Sequence, residues 1–411
     1  MSPHQGHVIV GGGLAAARAA AALRETGFSG SVTIVGDEVH QPYLRPPLSK
    51  DYLQGSSGAD ALMVQPRDWY DDNDVALLLG TTATDLNLDT STISLSNGSE
   101  LAFDAMLIAT GSRARQLNVP GADVDGVLYL RRVEDSDRIK ESFALRPRVV
   151  IVGAGWIGLE TAAAARMAGL NVTVLERDRL PLNRVLGPEV ATFIANLHMT
   201  KGVTLRPGVQ VDSLVASKGR VTGVRLADGE VVDADVVIVG VGARPNVEIA
   251  ERASLAVNDG IVVDEQLRTA HPRVFAAGDV ANAFHPRLGR LIRVEHWANA
   301  KAQGYAAGLN MGGVLTTYDT LPFLYSDQYD VGFEYTGYAP AGGYDSVVFR
   351  GDPADREFIA FWLDAGRVVA GMNVNVWDVS EVIADLISRR LVPDVRKLID
   401  PDVPLSSLAE A

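Results

Sequence analysis

The sequence predicts an α/β protein with two Rossmann-like nucleotide-binding domains and a C-terminal α+β domain. Three observations carry this. "HVIVGGGLAAARAAAAL" (residues 7–23) and "RVVIVGAGWIGLETAAAA" (residues 148–165) each run an apolar strand into a glycine-rich turn and an alanine-rich helix. Each is followed by another apolar strand, "SVTIVG" and "NVTVLER", completing a β-α-β unit of the kind that builds parallel sheets. After about Pro322 the pattern changes to "YDSVVFRGD", "REFIAFWLD" and "RVVAGMNVN", which read as antiparallel strands, and "WDVSEVIADLISRR", which reads as an amphipathic helix.

The two glycine-rich turns have the spacing of a dinucleotide fingerprint. In such a turn the first glycine permits the tight bend. The second lets the backbone approach a pyrophosphate, and the third lets helix and strand pack closely. The phosphate lies at the helix N-terminus, where free N–H groups and the dipole favour negative charge. Gly11 and Gly13 match in the first copy, with Ala16 in place of the third glycine, while Gly153, Gly155 and Gly158 all match in the second. Glycine turns alone are weak signals, but a strand before and a helix after each copy supply the confirming context. One copy suggests a dehydrogenase. Two suggest a protein that holds two nucleotides and passes something between them.

The residue ending the second strand of each unit should meet the adenosine ribose. In the second copy this is Glu176, whose carboxylate would accept from the ribose hydroxyls and repel a 2′-phosphate, favouring NADH. Arg177 follows directly and leaves the opposite reading open, pairing with a 2′-phosphate. In the first copy Gly36 stands where a carboxylate is usual. Asp37 is then the ribose candidate, its alternative being a solvated turn residue.

The remaining strands follow from the same patterns. "FDAMLIATGS", "DADVVIVGVGARPN" and "PRVFAAGDVA" are apolar strands, the first and last running into Thr-Gly and Gly-Asp corners. "TSTISLSNGSELAFD" and "GRVTGVRLADGEVVDAD" read as hairpins turning at Asn-Gly and Asp-Gly. Gly27 is placed to end the first fingerprint helix.

Composition narrows the chemistry. A chain of 411 residues is too long for one core and fits two or three domains. It has no cysteine, which excludes a disulfide, a catalytic thiol and a cysteine-ligated zinc or iron–sulfur cluster within the chain. The seven histidines show no HxxxH or HExxH spacing, so no metal site is expected. The net charge of −14 opposes non-specific binding to nucleic acid and to anionic membranes. No apolar run approaches the roughly 20 residues of a membrane span. No basic stretch precedes the first strand, so a cytoplasmic protein without a signal peptide is expected.

"PYLRPPLSKDYL", "LIATGS", "GAGWIGLE", "FAAGDV" and "SDQYD", in this order, resemble the NADH-dependent, FAD-containing ferredoxin reductases. The resemblance covers nearly the whole chain and implies a glutathione-reductase-like architecture. Residues 1–113 and 244–321 would form a split FAD-binding domain. Residues 114–243 would bind NADH, and 322–411 would be the C-terminal domain. It implies that Gly11, Gly13 and Ala15 lie at the FAD pyrophosphate, Asp37 at its ribose and Lys50 near flavin N5. Ala83, Ala109 and Arg131 would contact other parts of FAD. Asp279 would hold the ribityl chain beside Val280, and Trp297 would lie at the pyrimidine end of the ring. Glu160 would point toward the nicotinamide pocket.

Several of these residues have a plainer reading. Lys50 is otherwise a surface lysine after a Pro-Pro turn. Glu160 is otherwise a carboxylate near a helix start, stabilising its dipole. Asp279 is otherwise an N-cap of a following helix, a role compatible with binding FAD. Arg184 either meets the NADH phosphates or is solvated. Two positions depart from the family pattern: Tyr325 stands before "SDQ" where tryptophan is common, and Trp297 is bulkier than the usual residue there.

The implied reaction passes a hydride from NADH to non-covalently held FAD, and then single electrons to a separate iron–sulfur ferredoxin. That partner, of [2Fe–2S] type, would serve a monooxygenase or dioxygenase. Lys50 and Glu160 would be the catalytic pair. The alternatives are an NADH:quinone or dye oxidoreductase, an oxidase, or a flavin- and NADH-responsive binding protein of the apoptosis-inducing type. The oligomeric state stays open. Since ferredoxins are usually acidic, docking requires a local positive surface, for which "HPRLGRLIR" offers Arg287, Arg290 and Arg293, extended by Arg389 and Arg390.

Overall fold

The computed structural model describes residues 6–408. The chain falls into two compact units. The first comprises residues 1–44, 59–113 and 244–322, and the second residues 45–58, 114–243 and 323–411.

The first unit is built on a five-stranded parallel sheet. Its strands, from one edge to the other, are Val274–Ala276, Ala105–Ile108, Gly6–Val10, Ser31–Val35 and Val75–Leu78. The first fingerprint therefore occupies the central strand, with both faces covered, and its residues Val8, Ile9 and Val10 are buried. The Asn97-Gly98 hairpin forms as expected, within a three-stranded antiparallel sheet of Ala83–Asn87, Thr92–Leu95 and Glu100–Ala102. Gly27 is left-handed (φ +78°) just past the helix Leu14–Glu25 and its cap Thr26, the usual helix-ending device.

That helix packs against Trp297–Met311 more closely than side chains allow. A Cβ on Gly304 would stand 2.3 Å from the Ala15 carbonyl oxygen, and one on Gly308 would stand 2.4 Å from that of Ala19. Gly312 repeats the contact against Thr26. Glycines four residues apart on one helix thus face alanines on the other, and the two backbones touch. Neither helix has bulk along this seam, so dispersion between backbones replaces side-chain interdigitation.

The second unit carries a matching parallel sheet. Its order is Thr204–Pro207, Asn171–Glu176, Arg148–Val152, Val236–Val239 and Val127–Tyr129, again with the fingerprint strand in the middle. The Asp228-Gly229 hairpin joins two strands of a three-stranded antiparallel sheet. The C-terminal residues form a five-stranded antiparallel sheet ordered Phe323–Gln328, Val331–Gly337, Arg367–Val374, Glu357–Asp364 and Ser346–Asp352. "SDQYD", which carried no strand expectation, ends the first of these strands and makes the turn into the second. The expected amphipathic helix is present but shorter, Ser380–Ser388. Trp362, wholly buried, donates its indole N–H to the Leu186 carbonyl.

Residues 45–58, which the sequence reading keeps with the first fingerprint, group with the second unit. Ser136 Oγ donates to the Leu48 carbonyl at 2.8 Å, and the Tyr52 hydroxyl donates to Asp137 at 2.8 Å. These partners lie more than eighty residues away, where local patterning cannot see them.

Candidate functional site

In the first unit the fingerprint turn is held open by its glycines. Gly11 has φ +121°, and a Cβ there would fall 2.1 Å from the Ala109 carbonyl oxygen. Gly13 starts the helix with empty space before it. Among the described residues no side chain caps this helix and no acidic residue occupies its first turn. Free amides facing an open approach are what a pyrophosphate needs, so these residues fit the group expected there. Gly36 also has a physical reason. A Cβ on it would stand 3.2 Å from the Gly12 Cα, so the strand end lies against the turn and the nearest carboxylate is displaced to Asp37. Asp37 is exposed, and Glu38 beside it accepts from the Tyr43 hydroxyl at 2.5 Å.

The "AAGDV" corner joins the same place. A Cβ on Gly278 would contact that of Ala15 at 3.3 Å, and the Gly278 N–H donates to Gln303. Asp279, nearly buried, accepts from Ser112 Oγ at 2.7 Å. The expected helix after Asp279 is replaced by the strand Ala281–His285, so the helix it was expected to cap is not there. Gly11, Ala15, Ala109, Asp279 and the wholly buried Val280 are thus gathered beside the fingerprint turn. Ala83 begins a strand two residues after Thr81, whose N–H donates to the Gly36 carbonyl. Trp297 starts its helix half-buried, with Lys301 Nζ 5.0 Å from its ring centroid.

In the second unit Gly153 (φ +101°) and Gly158 are constrained by backbone: Cβ atoms there would lie 2.4 Å from the Gly240 oxygen and 2.2 Å from the Gly153 oxygen. Gly155 again opens onto empty space, and the helix Trp156–Met167 has no acidic residue in its first turn. Glu176 reaches back to this turn. One carboxylate oxygen accepts from the Ala154 N–H at 2.6 Å and the other from the Asp178 N–H at 2.8 Å. A strand-end carboxylate fixed by two amides is pre-oriented for a ribose diol and hostile to a phosphate. Glu176→Ala is expected to lower NADH affinity by about 1–3 kcal/mol and to relax discrimination against NADPH. Steady-state kinetics with both coenzymes measure this, and a native preference for NADPH would hand the pocket to Arg177. Arg184 is mostly exposed and pairs with Asp178 at 2.7 Å. Arg131 follows the strand Val127–Tyr129, and its carbonyl accepts from Arg45 at 2.7 Å.

The second unit also contains a buried ion pair. The Pro46-Pro47 segment forms a short 3₁₀ turn that ends at Lys50. Lys50 Nζ lies 2.8 Å from Glu160 Oε1, with side-chain exposures of only 9% and 4%. Glu160 is in the second turn of its helix, well inside, and is not a solvated dipole partner. Ser49 Oγ donates to its Oε2 at 2.5 Å, and Ser326 Oγ to its Oε1 at 2.6 Å. Both plainer readings therefore fall: Lys50 is not on the surface, and Glu160 accepts three donors. Lys50 Nζ also stands 5.5 Å from the Tyr325 ring centroid, within cation–π range. A buried pair of this kind is weak evidence for stability, because desolvation offsets most of the attraction.

The docking arginines fare differently. Arg287 pairs with Asp319 at 2.6 Å, Arg293 with Asp259 at 3.2 Å and with Glu295, and Arg389 with Asp385 at 3.4 Å. The expected basic patch is corrected to arginines largely compensated by the chain's own carboxylates. Asp319 and Asp259 lie some thirty residues from their partners and gave no local signal.

Residues 6–304 match the family described as pyridine nucleotide-disulphide oxidoreductase, and residues 323–409 match the family described as reductase C-terminal. The chain belongs to the pyridine nucleotide-disulphide oxidoreductases. Within them this oxidoreductase is 38% identical to rhodocoxin reductase of Rhodococcus erythropolis, over 90% of the chain and 86% of the relative. It is 39% identical to the ferredoxin–NAD(+) reductase component of the anthranilate 1,2-dioxygenase system of Burkholderia cepacia, over 97% and 98%. The structure of a covalent putidaredoxin reductase–putidaredoxin complex matches with a TM-score of 0.95 at 36% identity, over 98% of each chain. The oxidoreductase is accordingly an FAD- and NAD(H)-dependent flavoprotein of the ferredoxin reductase type. Having no cysteine, it carries no redox-active disulfide of its own.

Sequence reading missed Ser49, Ser112, Ser326, Gln328 and His198, all buried polar residues. "SDQ" was visible as a motif, but nothing local ties it to Glu160. Among the described residues no helix of the oxidoreductase is long and apolar enough to cross a membrane.

Proposed function

We propose that this chain passes electrons from NADH through FAD, one at a time, to a separate [2Fe–2S] ferredoxin that serves a monooxygenase or dioxygenase in the cytoplasm. The single observation that carries the reading is the buried Lys50–Glu160 pair in a chain with no cysteine. Without a thiol there is no disulfide or sulfenic acid to receive the electrons inside the protein. They must leave it. FAD, when bound, supplies the conversion of a two-electron donor to one-electron steps.

The chain's own residues then divide the work. The turn at Gly11 and Gly13, with Ala15, holds the FAD pyrophosphate through the helix amides, and Asp37 takes the ribose. Asp279, fixed by Ser112, holds the ribityl chain beside Val280. Ala83, Ala109, Arg131 and Trp297 complete the contacts. The turn at Gly153, Gly155 and Gly158 holds the NADH pyrophosphate, with Glu176 on the ribose and Arg177 and Arg184 toward the phosphates. Lys50 would supply positive charge beside the reacting end of bound FAD, and Glu160 fixes where that charge sits.

The test is reduction of cytochrome c by NADH, with and without added ferredoxin. Turnover that rises steeply and saturably with ferredoxin supports the reading. Rapid quinone or dye reduction with no response to any [2Fe–2S] ferredoxin would overturn it in favour of a quinone or dye oxidoreductase.

A further inference from the structure

Behind Glu160 a row of buried polar side chains continues through the second unit. Ser326, Gln328 and His198 are each no more than 1% exposed. Gln328 Nε2 lies 3.1 Å from Ser326 Oγ, His198 Nε2 lies 2.8 Å from Gln328 Oε1, and the Tyr329 hydroxyl lies 3.2 Å from His198 Nδ1.

The direction of every bond follows from the carboxylate. An ionised carboxylate only accepts, so Ser326 spends its single proton on Glu160. Ser326 Oγ must then accept from the Gln328 amide nitrogen. That leaves the amide oxygen facing His198, which donates from Nε2. Its Nδ1 is therefore the acceptor of the hydrogen bond that the Tyr329 hydroxyl donates. All the donors point one way, toward Glu160. An amide does not pass a proton on, so this ladder transmits orientation and not protons.

We propose that Ser326, Gln328 and His198 are positioning residues that lock the Glu160 carboxylate in one orientation and thereby hold Lys50. The proposal rests on the reading of Lys50 and Glu160 given above. Buried polar side chains of this kind contribute little net stability over apolar ones of similar volume, which favours a positioning role over a packing one. The ladder needs a neutral His198, and burial supplies it by pushing the imidazole down to about 4. The groups facing His198 are Gln328 and Tyr329. Beyond them, Lys201 stands 5.4 Å from the Tyr329 ring centroid and is itself paired with Asp330, and Arg166 acts on Tyr329 as a further charge.

Gln328→Glu in the FAD-loaded protein tests this with almost no change of shape. The introduced carboxylate accepts at both ends, so it draws the Ser326 proton away from Glu160 and gives His198 a charged partner. Stopped-flow reduction of the flavin by NADH should slow about tenfold. Its pH profile should gain a titration between about pH 5 and 8 that the parent lacks, as a histidine beside a carboxylate titrates in that range. Ser326→Ala should slow the reaction without adding the titration. A merely structural role moves the thermal midpoint but adds no titration. Unchanged rate and a flat profile in Gln328→Glu would overturn the ladder, and if that variant fails to fold, an unchanged rate in Ser326→Ala does the same. Lys50→Met separates the two levels: if it slows reduction and Gln328→Glu does not, only the ladder fails, while if neither slows it, the role of the ion pair fails as well.

Discussion

Lys50→Met is expected to slow reduction of the flavin by NADH about a hundredfold while FAD stays on the protein. Removal of one pre-oriented electrostatic group typically costs two to three orders of magnitude in rate. Methionine keeps most of the lysine stem, so the turn after Pro46-Pro47 need not move. What changes is charge. Glu160 is left as a buried carboxylate with two hydroxyl donors and no cation, a situation that is destabilising by about 3–5 kcal/mol unless the group takes up a proton. Flavin absorbance before mixing reports FAD content, and stopped-flow traces report the rate. Full flavin content with an unchanged rate would leave Lys50 a structural residue.

Gly304→Val should strip the protein of FAD. The glycine faces Ala15 across the seam between the first fingerprint helix and the helix Trp297–Met311, and a Cβ there meets backbone 2.3 Å away. Backbone cannot rotate aside as a side chain can. The two helices must separate or shift, and the shift falls on the turn that presents Gly11 and Gly13. Overpacking of this kind costs about 3 kcal/mol, which at the cofactor site corresponds to roughly a hundredfold in affinity. The flavin-to-protein ratio after gel filtration, and recovery of that ratio on adding FAD, measure the effect. Retention of flavin at the parental ratio would mean that the seam yields elsewhere.

These two residues also mark how far the sequence can be read. Lys50 was legible because family resemblance pointed to it, and the double fingerprint was legible because glycine spacing, strand and helix lie within eighteen residues. Gly304 was not singled out, although "QGYAAGLNMGG" shows glycines at four-residue spacing. Their meaning depends on an alanine face almost three hundred residues away. Long separations, of 111 and 166 residues, also hid two of the partners of Glu160. Ser49 and Ser326 arrive from two separate stretches of chain, and periodicity carries no information on such meetings. Arg287 and Arg293 failed for the complementary reason: a cluster of like charge looks free until the folded chain brings its own carboxylates to it. The missing helix after Asp279 was a local misreading, since Gly-Asp corners precede strands as well as helices.

The strand Phe323–Gln328 has a bearing on protein engineering. Where the C-terminal sheet begins would be the natural junction for grafting that module from one relative onto another. Yet Ser326 and Gln328 lie on its first strand and belong, by their hydrogen bonds, to Glu160 and His198. A chimera spliced at residue 322 imports a foreign strand into the surroundings of the ion pair. One spliced after Tyr329 keeps the whole row native. Grafts that differ only in this seven-residue choice should then differ in hydride transfer before any acceptor is added.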